Sequence, residues 1–144
     1  MADEQPAPTA DTTDLGWALD QLAAKPGIEH ALLFTSDGLE MARSRRLGKD
    51  EADRAAALYS GLMSLQASLQ GFESFDGQEL RLRHVTIDLK AFTVLLFTAG
   101  ERTSLAVVVR GDSTTKEIPG AVTDALKMIT GMKPVLAARD RARG

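Results

Sequence analysis

Residues 55–72 form a run of eighteen residues without a charged side chain, and their composition predicts a helix. A helix on the surface of a soluble domain usually buries one apolar stripe and places charged residues opposite it. The stripe is present at three- and four-residue spacing, as Ala55, Leu58, Leu62, Leu65 and Leu69. The opposite side carries small residues: Ala57, Ser60, Gly61, Ser64 and Ser68. We therefore expect the leucines to face the protein's own core and the small residues to face a second protein surface.

Composition argues against several classes of protein. A net charge of −3 gives no basic surface of the kind that nucleic acid binding requires. Because the sequence has no cysteine, it predicts no disulfides or thiolate metal ligands, and it favours a cytoplasmic location. No segment approaches the roughly 18 consecutive apolar residues of a membrane span, so we expect no integral membrane segment.

The chain is predicted to hold one folded domain with a short segment at each end. Residues 1–11 contain Pro6, Pro8 and three acidic residues without an apolar core, which predicts a disordered leader and not a secretory signal. The folded domain is predicted over residues 12–132. Residues 133–144 are predicted to be a flexible tail, because Pro134 opposes continuation of a preceding helix that we expect to end at Gly131.

Periodicity and turn residues predict three helices and five strands. In chain order these are a helix at residues 13–24, strands at 28–35 and 39–43, a helix from a cap at Asp50 to about Gln70, strands at 79–87, 92–98 and 104–110, and a third helix that ends at Gly131. The turn between the first two strands is Ser36-Asp37-Gly38. Short connections between the last three strands indicate an antiparallel meander.

The distribution of apolar and charged residues predicts the order of the strands. The first, fourth and fifth strands are apolar on both faces, as expected of central strands covered on both sides. The second strand ends in Arg43 and the third carries Arg81 and Arg83, which suits edge strands. We therefore predict an α+β fold, an α/β/α three-layer sandwich with a five-stranded antiparallel sheet in the order 2-1-5-4-3 and helices on both faces.

The third strand is then an edge whose unpaired backbone groups could pair with another strand. It follows directly after the uncharged helix. Two copies could join third strand to third strand and bring their second helices together, which predicts a homodimer. The candidate interface residues are Ala57, Ser60, Gly61, Ser64, Ser68, Leu80, Leu82, His84 and Thr86.

The sequence shows no arrangement of residues for catalysis, metal binding or cofactor binding. His30 and His84 lie alone in predicted strands without a second ligand at metal-site spacing, so we expect hydrogen-bonded structural histidines. The sequence contains no phosphate-binding loop motif and no serine nucleophile motif. Gly111-Asp112-Ser113 could hold an anion before the last helix, but a turn with a helix cap is the favoured interpretation.

Arg43, Arg45 and Arg46 form the densest basic cluster of the chain. Such clusters are usually solvated loop charges. The alternative is that one of these arginines contacts a partner, acting in trans on a nucleotide phosphate.

The order of elements resembles the roadblock/dynein-light-chain family, specifically its bacterial members. The local resemblance lies in residues 15–22, in the Pro26-Gly27-Ile28 turn and in the Ser36-Asp37-Gly38-Leu39 hairpin. It implies a profilin-like fold and homodimers or heterodimers formed through the second helix and third strand. It also implies association with small Ras-like GTPases, in some actinobacterial members together with a sensor kinase. The Ala- and Arg-rich composition without asparagine suits a high-GC genome of that kind.

Three functions follow as hypotheses. The leading one is a non-enzymatic dimeric adaptor that regulates a small GTPase, within a signalling system linked to a sensor kinase. The second is a small-molecule sensor, which an internal pocket would favour and void-free packing of Phe34, Phe92 and Phe97 would disfavour. The third is a purely structural dimeric scaffold subunit.

Overall fold

A computed structural model of the chain describes residues 13–65, Leu69 and residues 82–143. These residues form three helices and five strands, which we number in chain order: α1 (Thr13–Ala23), β1 (Ile28–Thr35), β2 (Glu40–Arg43), α2 (Lys49–Met63), β3 (His84–Asp88), β4 (Phe92–Thr98), β5 (Thr103–Arg110) and α3 (Ile118–Arg143). No helix among the described residues is both long enough and apolar enough to cross a membrane.

The five strands form one antiparallel sheet in the order β2-β1-β5-β4-β3, which confirms the predicted order. β1 and β5 pair along most of their length, with Leu32 opposite Ala106. The strands predicted to be central are almost entirely buried, and the predicted edge strands are partly exposed. The alternation of charged and apolar residues therefore predicted the layout of the sheet correctly.

Two apolar layers cover the sheet, one on each face. The larger layer lies between the sheet and α1 with α3; its fully buried members include Leu19, Ala31, Leu33, Leu95, Leu105, Val107 and Ala125. The smaller layer lies between the sheet and α2 and contains Leu32, Phe34, Leu47, Ala52, Ala56, Val94, Leu96, Ala106 and Val108. The three-layer α/β/α sandwich is thus confirmed.

A bulge between Ile28 and His30 changes which face the first residues of β1 occupy. An extra residue in one strand reverses the alternation of side chains beyond it. Ile28 therefore packs with Ala31 and Leu33 beneath α1 and α3, and not with Leu32 and Phe34 as the simple alternation predicts. This leaves His30 on the α2 side of the sheet, beside Tyr59 and Val94.

The last helix is longer than predicted. α3 continues through Pro134 to Arg143, so the predicted helix end at Gly131 is wrong. Met132 and Leu136 are buried against the core, which means that the first part of the predicted flexible tail packs on the domain. A proline inside a helix removes one backbone hydrogen bond and crowds the preceding turn. Burial of the side chains around Pro134 offsets that cost and keeps the helix continuous.

The boundaries of α2 and β3 also differ from the predictions. α2 begins at Lys49 after Gly48, which makes no side-chain capping bond, so Asp50 lies within the first turn and is not the cap. α2 ends at Met63, and the predicted continuation to Gln70 lies mostly outside the described residues. β3 begins at His84, whereas Leu82 and Arg83 are not in a strand.

Candidate interaction surface

The leucine side of α2 faces away from the sheet. Ala52 and Ala56 are the fully buried residues of this helix, whereas Leu58 is 68% exposed and Leu65, two residues past the helix end, is 57% exposed. The prediction that the leucine stripe lies on the protein's own core is therefore wrong. The two alanines allow α2 to approach the sheet closely, and Tyr59 packs beside Phe34 at a centroid distance of 6.0 Å.

Part of the small-residue side of α2 contacts the protein itself. Gly38, in the turn between β1 and β2, has a φ of 86°, and a Cβ atom there would lie 3.2 Å from Ser60 Oγ and 3.5 Å from Ala57 Cα. Ala57 and Ser60 are thus small because the hairpin turn lies against them. Gly61 and Ser64 are exposed, and Ser68 lies outside the described residues.

The outer edge of β3 carries backbone groups that face no strand among the described residues. The N–H of Thr98 donates to the carbonyl of Arg83, and the N–H of Leu89 donates to the carbonyl of Phe92. Antiparallel ladders alternate, so residues 83, 85, 87 and 89 bond to β4. The N–H and C=O groups of His84, Thr86 and Asp88 therefore point to the free edge.

The side chains of β3 divide between the two faces of the sheet. His84 pairs with Phe97 and Thr86 with Leu95, which places both side chains on the α1–α3 face. Val85 and Ile87 lie on the α2 face, half-buried against the smaller core layer. Val85 and Ile87 are not among the predicted interface residues, although the period-two alternation of the strand indicates that they share a face.

Neither of the two leucines predicted for the interface from the third strand lies in β3 as the structure defines it. Leu80 lies outside the described residues. Leu82 is half-buried, and its carbonyl accepts a hydrogen bond of 2.6 Å from Thr98 Oγ1, so it is tied to β4 through the side chain of that strand.

We use the name seam surface for the outward side of α2 with the free edge and α2-facing side chains of β3: Leu58, Gly61, Leu62, Leu65, His84, Val85, Thr86 and Ile87. Its α2 part carries no charged side chain, although Arg54 and Glu51 lie on the preceding turns. A Cβ atom added at Gly61 would meet nothing within 4 Å, so the helix backbone is accessible among the leucines. That this surface joins two copies stays a prediction.

The three arginines of the predicted basic cluster have different surroundings. Arg43 is held by an ion pair of 3.1 Å to Glu40 and a bond of 3.0 Å from its Nε to the Leu47 carbonyl. Arg45 lies 3.6 Å from the carboxylate of Asp20 on α1. Arg46 is exposed and takes part in none of the ion pairs found among the described residues, although its charge acts on Glu29 from a greater distance. Of the three, Arg46 is the best placed to reach a partner.

An open cleft of about 410 Å³ lies beside Arg46. His30, Glu51, Tyr59 and Phe92 contribute to its walls. The Nδ1 atom of His30 is buried and has no hydrogen-bond partner among the described residues, contrary to the expectation of a hydrogen-bonded histidine. Burial lowers the pKa of His30, and the negative charges of Glu51 and Glu29 act in the opposite direction.

The loop before α3 is an ordered turn. The backbone N–H of Thr114 donates to Asp112 Oδ1 over 2.9 Å, and Gly111 adopts a φ of 101°. Ser113 Oγ donates a bond of 2.6 Å to Asp88 Oδ2, and this bond lowers the pKa of Asp88. The carboxylates of Asp88 and Asp112 accept the loop's hydrogen bonds, which agrees with the interpretation of this segment as turn chemistry.

Comparison with known proteins identifies the family. The model of the Roadblock/LC7 domain matches residues 15–109. No protein with a curated function matches the sequence. The chain is similar to the crystal structure of a Roadblock/LC7 domain from Streptomyces avermitilis, with 29% identity, a TM-score of 0.72 and coverage of 87% of this chain and 99% of that one.

Two more distant structures share the fold. MglB of Myxococcus xanthus is 14% identical with a TM-score of 0.72, and the match covers 88% of this chain and 97% of that one. Profilin IA of Acanthamoeba castellanii is 13% identical with a TM-score of 0.50, covering 81% of this chain and 94% of that one. The family match over most of the described domain, together with these folds, shows that the chain belongs to the Roadblock/LC7 domain family.

Proposed function

We propose that this protein is a non-enzymatic homodimeric adaptor that binds a small Ras-like GTPase and alters its nucleotide cycle. The observation that carries the proposal is the exposure of leucines in and just after the last turns of α2, within residues 55–65, which contain no charged residue. Leu58 and Leu65 are each more than half exposed to solvent. Contiguous apolar surface of this kind marks sites of protein–protein contact.

Both parts of the seam surface contribute to the proposed dimer. Complete burial of a leucine side chain contributes roughly 1.5–3 kcal/mol. A leucine that is half exposed in the monomer would contribute about half of that when the dimer buries the rest. Association itself costs roughly 4–15 kcal/mol, so leucine burial on two helices is only comparable with the cost. Backbone pairing between two β3 strands would add the remaining stabilisation and would set the orientation of the two helices.

Membership of the Roadblock/LC7 domain family supports a GTPase as the third partner, because bacterial members accompany small Ras-like GTPases. Arg46 is the residue we assign to this contact. It is exposed beside the N-terminal end of α2, and it forms no close ion pair within the described part of the chain. Its guanidinium could therefore bind a carboxylate or a phosphate of the partner. A cytoplasmic location and a link to a sensor kinase belong to the same proposal.

The test uses the full chain and a small GTPase encoded beside it, loaded with GDP or with a GTP analogue. Gel filtration should show a complex, and the rate of GTP hydrolysis or nucleotide release should change. Arg46→Ala should weaken the complex, whereas Lys116→Ala, an exposed cation in the loop before α3, should not. Absence of both a complex and any change in turnover with correctly loaded GTPase would refute the proposal.

The same experiment separates the alternatives. A complex without any effect on turnover would favour the purely structural scaffold. The small-molecule sensor is less well supported, because Phe34 and Phe97 are fully buried within the two core layers. Phe92 is 40% exposed and lines the open cleft beside His30, which is where a ligand of such a sensor would bind.

A further inference from the structure

A groove of about 650 Å³ lies between α1 and α3, on the face of the sheet opposite the seam surface. Its floor is apolar and includes Leu15, Leu22 and Met132, which belong to the larger core layer. Trp17, the only tryptophan of the sequence, forms part of its wall and is 62% exposed. A tryptophan side chain presents one of the largest apolar areas of any residue, so its exposure here leaves a contact surface uncovered.

The polar residues of this groove give it a slight positive charge. Lys25 and Lys127 lie on its border, together with the single acid Asp124. An occupant with apolar or proline residues would fit the apolar floor, and acidic residues in the same occupant would fit the two lysines.

We propose that residues 1–12 of this same chain bind in the groove, with Pro6 and Pro8 against Trp17. This segment contains three acidic residues and no lysine or arginine. Three is also the number of negative charges by which the whole sequence exceeds neutrality, since its net charge is −3. Proline-containing segments adopt the extended polyproline II conformation at low entropic cost and dock on exposed aromatic rings. The acids at positions 3 and 4 then lie near Lys25 and Lys127.

The segment has the reach that this contact requires. α1 begins at Thr13, so Trp17 lies about one helical turn from the point of attachment. Twelve residues in polyproline II conformation extend to roughly 37 Å. The groove runs beside α1 from Leu15 to Lys25, about 15 Å at the helical rise. Residues 1–12 are therefore long enough to turn back at Thr13, run alongside α1 and cover the groove.

Covalent attachment makes even a weak contact effective, because a short tether gives an effective concentration in the millimolar range. The contact lies on the α1–α3 face and uses none of the seam residues. It is therefore independent of the proposed dimer and of the proposed GTPase partner, and failure of either leaves it standing.

The fluorescence of Trp17 tests the proposal directly. Deletion of residues 2–11 from the full chain should move the emission maximum to longer wavelength and increase quenching by acrylamide. A synthetic peptide of residues 1–12, added to the shortened protein, should reverse both changes. Circular dichroism checks that the shortened protein keeps its fold. Identical emission and quenching in the full and shortened proteins would overturn the proposal.

Point variants of the full chain provide the matched controls. The double substitution Pro6→Ser with Pro8→Ser, and separately Lys127→Glu, should shift Trp17 emission in the same direction as the deletion. Lys116→Glu, which makes the same charge change outside the groove, should leave it unchanged. If Trp17 instead becomes protected only as protein concentration rises, with or without residues 2–11, the groove binds a second copy and the proposal is wrong.

Discussion

The imidazole ring of His84 lies flat against the phenyl ring of Phe97, with 4.6 Å between the centroids and 8° between the planes. Phe97 belongs to the core layer beneath α1 and α3, so this contact holds the His84 side chain on that face of the sheet. The N–H and C=O of His84 nevertheless point to the free edge of β3. Pairing of a second strand at β3 would therefore use the backbone of His84 and not its imidazole.

Thr86→Pro tests that pairing. The N–H of Thr86 points away from β4, so proline there should remove an edge donor without breaking a bond of the β3–β4 ladder. We expect a folded protein that sediments as a monomer. Thr86→Val, which keeps the N–H, should remain dimeric. A dimeric Thr86→Pro variant would show that the copies do not pair through β3.

Leu58→Glu tests the α2 part of the seam surface. The side chain of Leu58 is 68% exposed, so the substitution should leave the folded monomer intact. In a dimer it would bury a carboxylate without a partner, which is strongly unfavourable. Sedimentation velocity at micromolar concentration should show loss of the dimer. Ala24→Glu places the same charge at an exposed residue just after α1, away from the seam surface, and should have no effect, and equal behaviour of the two variants would contradict the prediction.

His30 should make stability depend on pH on the acidic side of neutrality. Burial lowers its pKa in the folded protein, with Glu51 and Glu29 opposing, while the unfolded value is about 6.5. Below about pH 6.5 the unfolded state binds more protons than the folded state. The free energy of unfolding should therefore decrease as the pH is lowered, until the pH lies below the pKa of His30 in the folded protein. Urea unfolding of His30→Gln should show a shallower fall.

His84→Gln is the comparison for that experiment, because burial also lowers the pKa of His84, but its ring is more exposed. Its effect on the pH dependence should be the smaller one. If His30→Gln keeps the full acid-side loss of stability, another group is responsible for it.

Pro134→Ala should stabilise the protein. Alanine restores an N–H that can bond to the carbonyl of Thr130, and proline inside a helix costs up to about 3 kcal/mol. Alanine also gives the unfolded chain more conformational freedom than proline does, which offsets about 0.4–1 kcal/mol of that gain. Pro119→Ala, in the first turn of the same helix, should bring no such gain, because proline is tolerated there. A Pro134→Ala variant that is less stable in urea would contradict this expectation.

The strands and their order followed from local patterns. β1 and β4 have the predicted limits, because a short continuous apolar run bounded by turns is sufficient to define a strand covered on both faces. Arg43 correctly indicated that β2 is an edge strand, because charged side chains suit the edge of a sheet. The bulge between Ile28 and His30 could not be predicted, since no residue type there requires it and only the pairing with β5 defines it.

Helices were harder to predict wherever two faces were equally free of charge. α2 could place either its leucines or its small residues inward, and periodicity alone does not distinguish these orientations. Packing decides, because Ala52 and Ala56 fit against a sheet whose space is already filled by Phe34. Similarly, Pro134 predicts a helix end locally, but the burial of Met132 and Leu136 maintains the helix.

The amino-acid sequence by itself therefore determined the strands, their order and the absence of charge between residues 55 and 72. These properties depend on the alternation and identity of neighbouring residues, which are already present in the unfolded chain. Only the tertiary structure decided which side of α2 is exposed, that α3 passes through Pro134, and that Val85 and Ile87 share a face with α2. These depend on how much volume lies between layers, and that quantity exists only once the layers have packed.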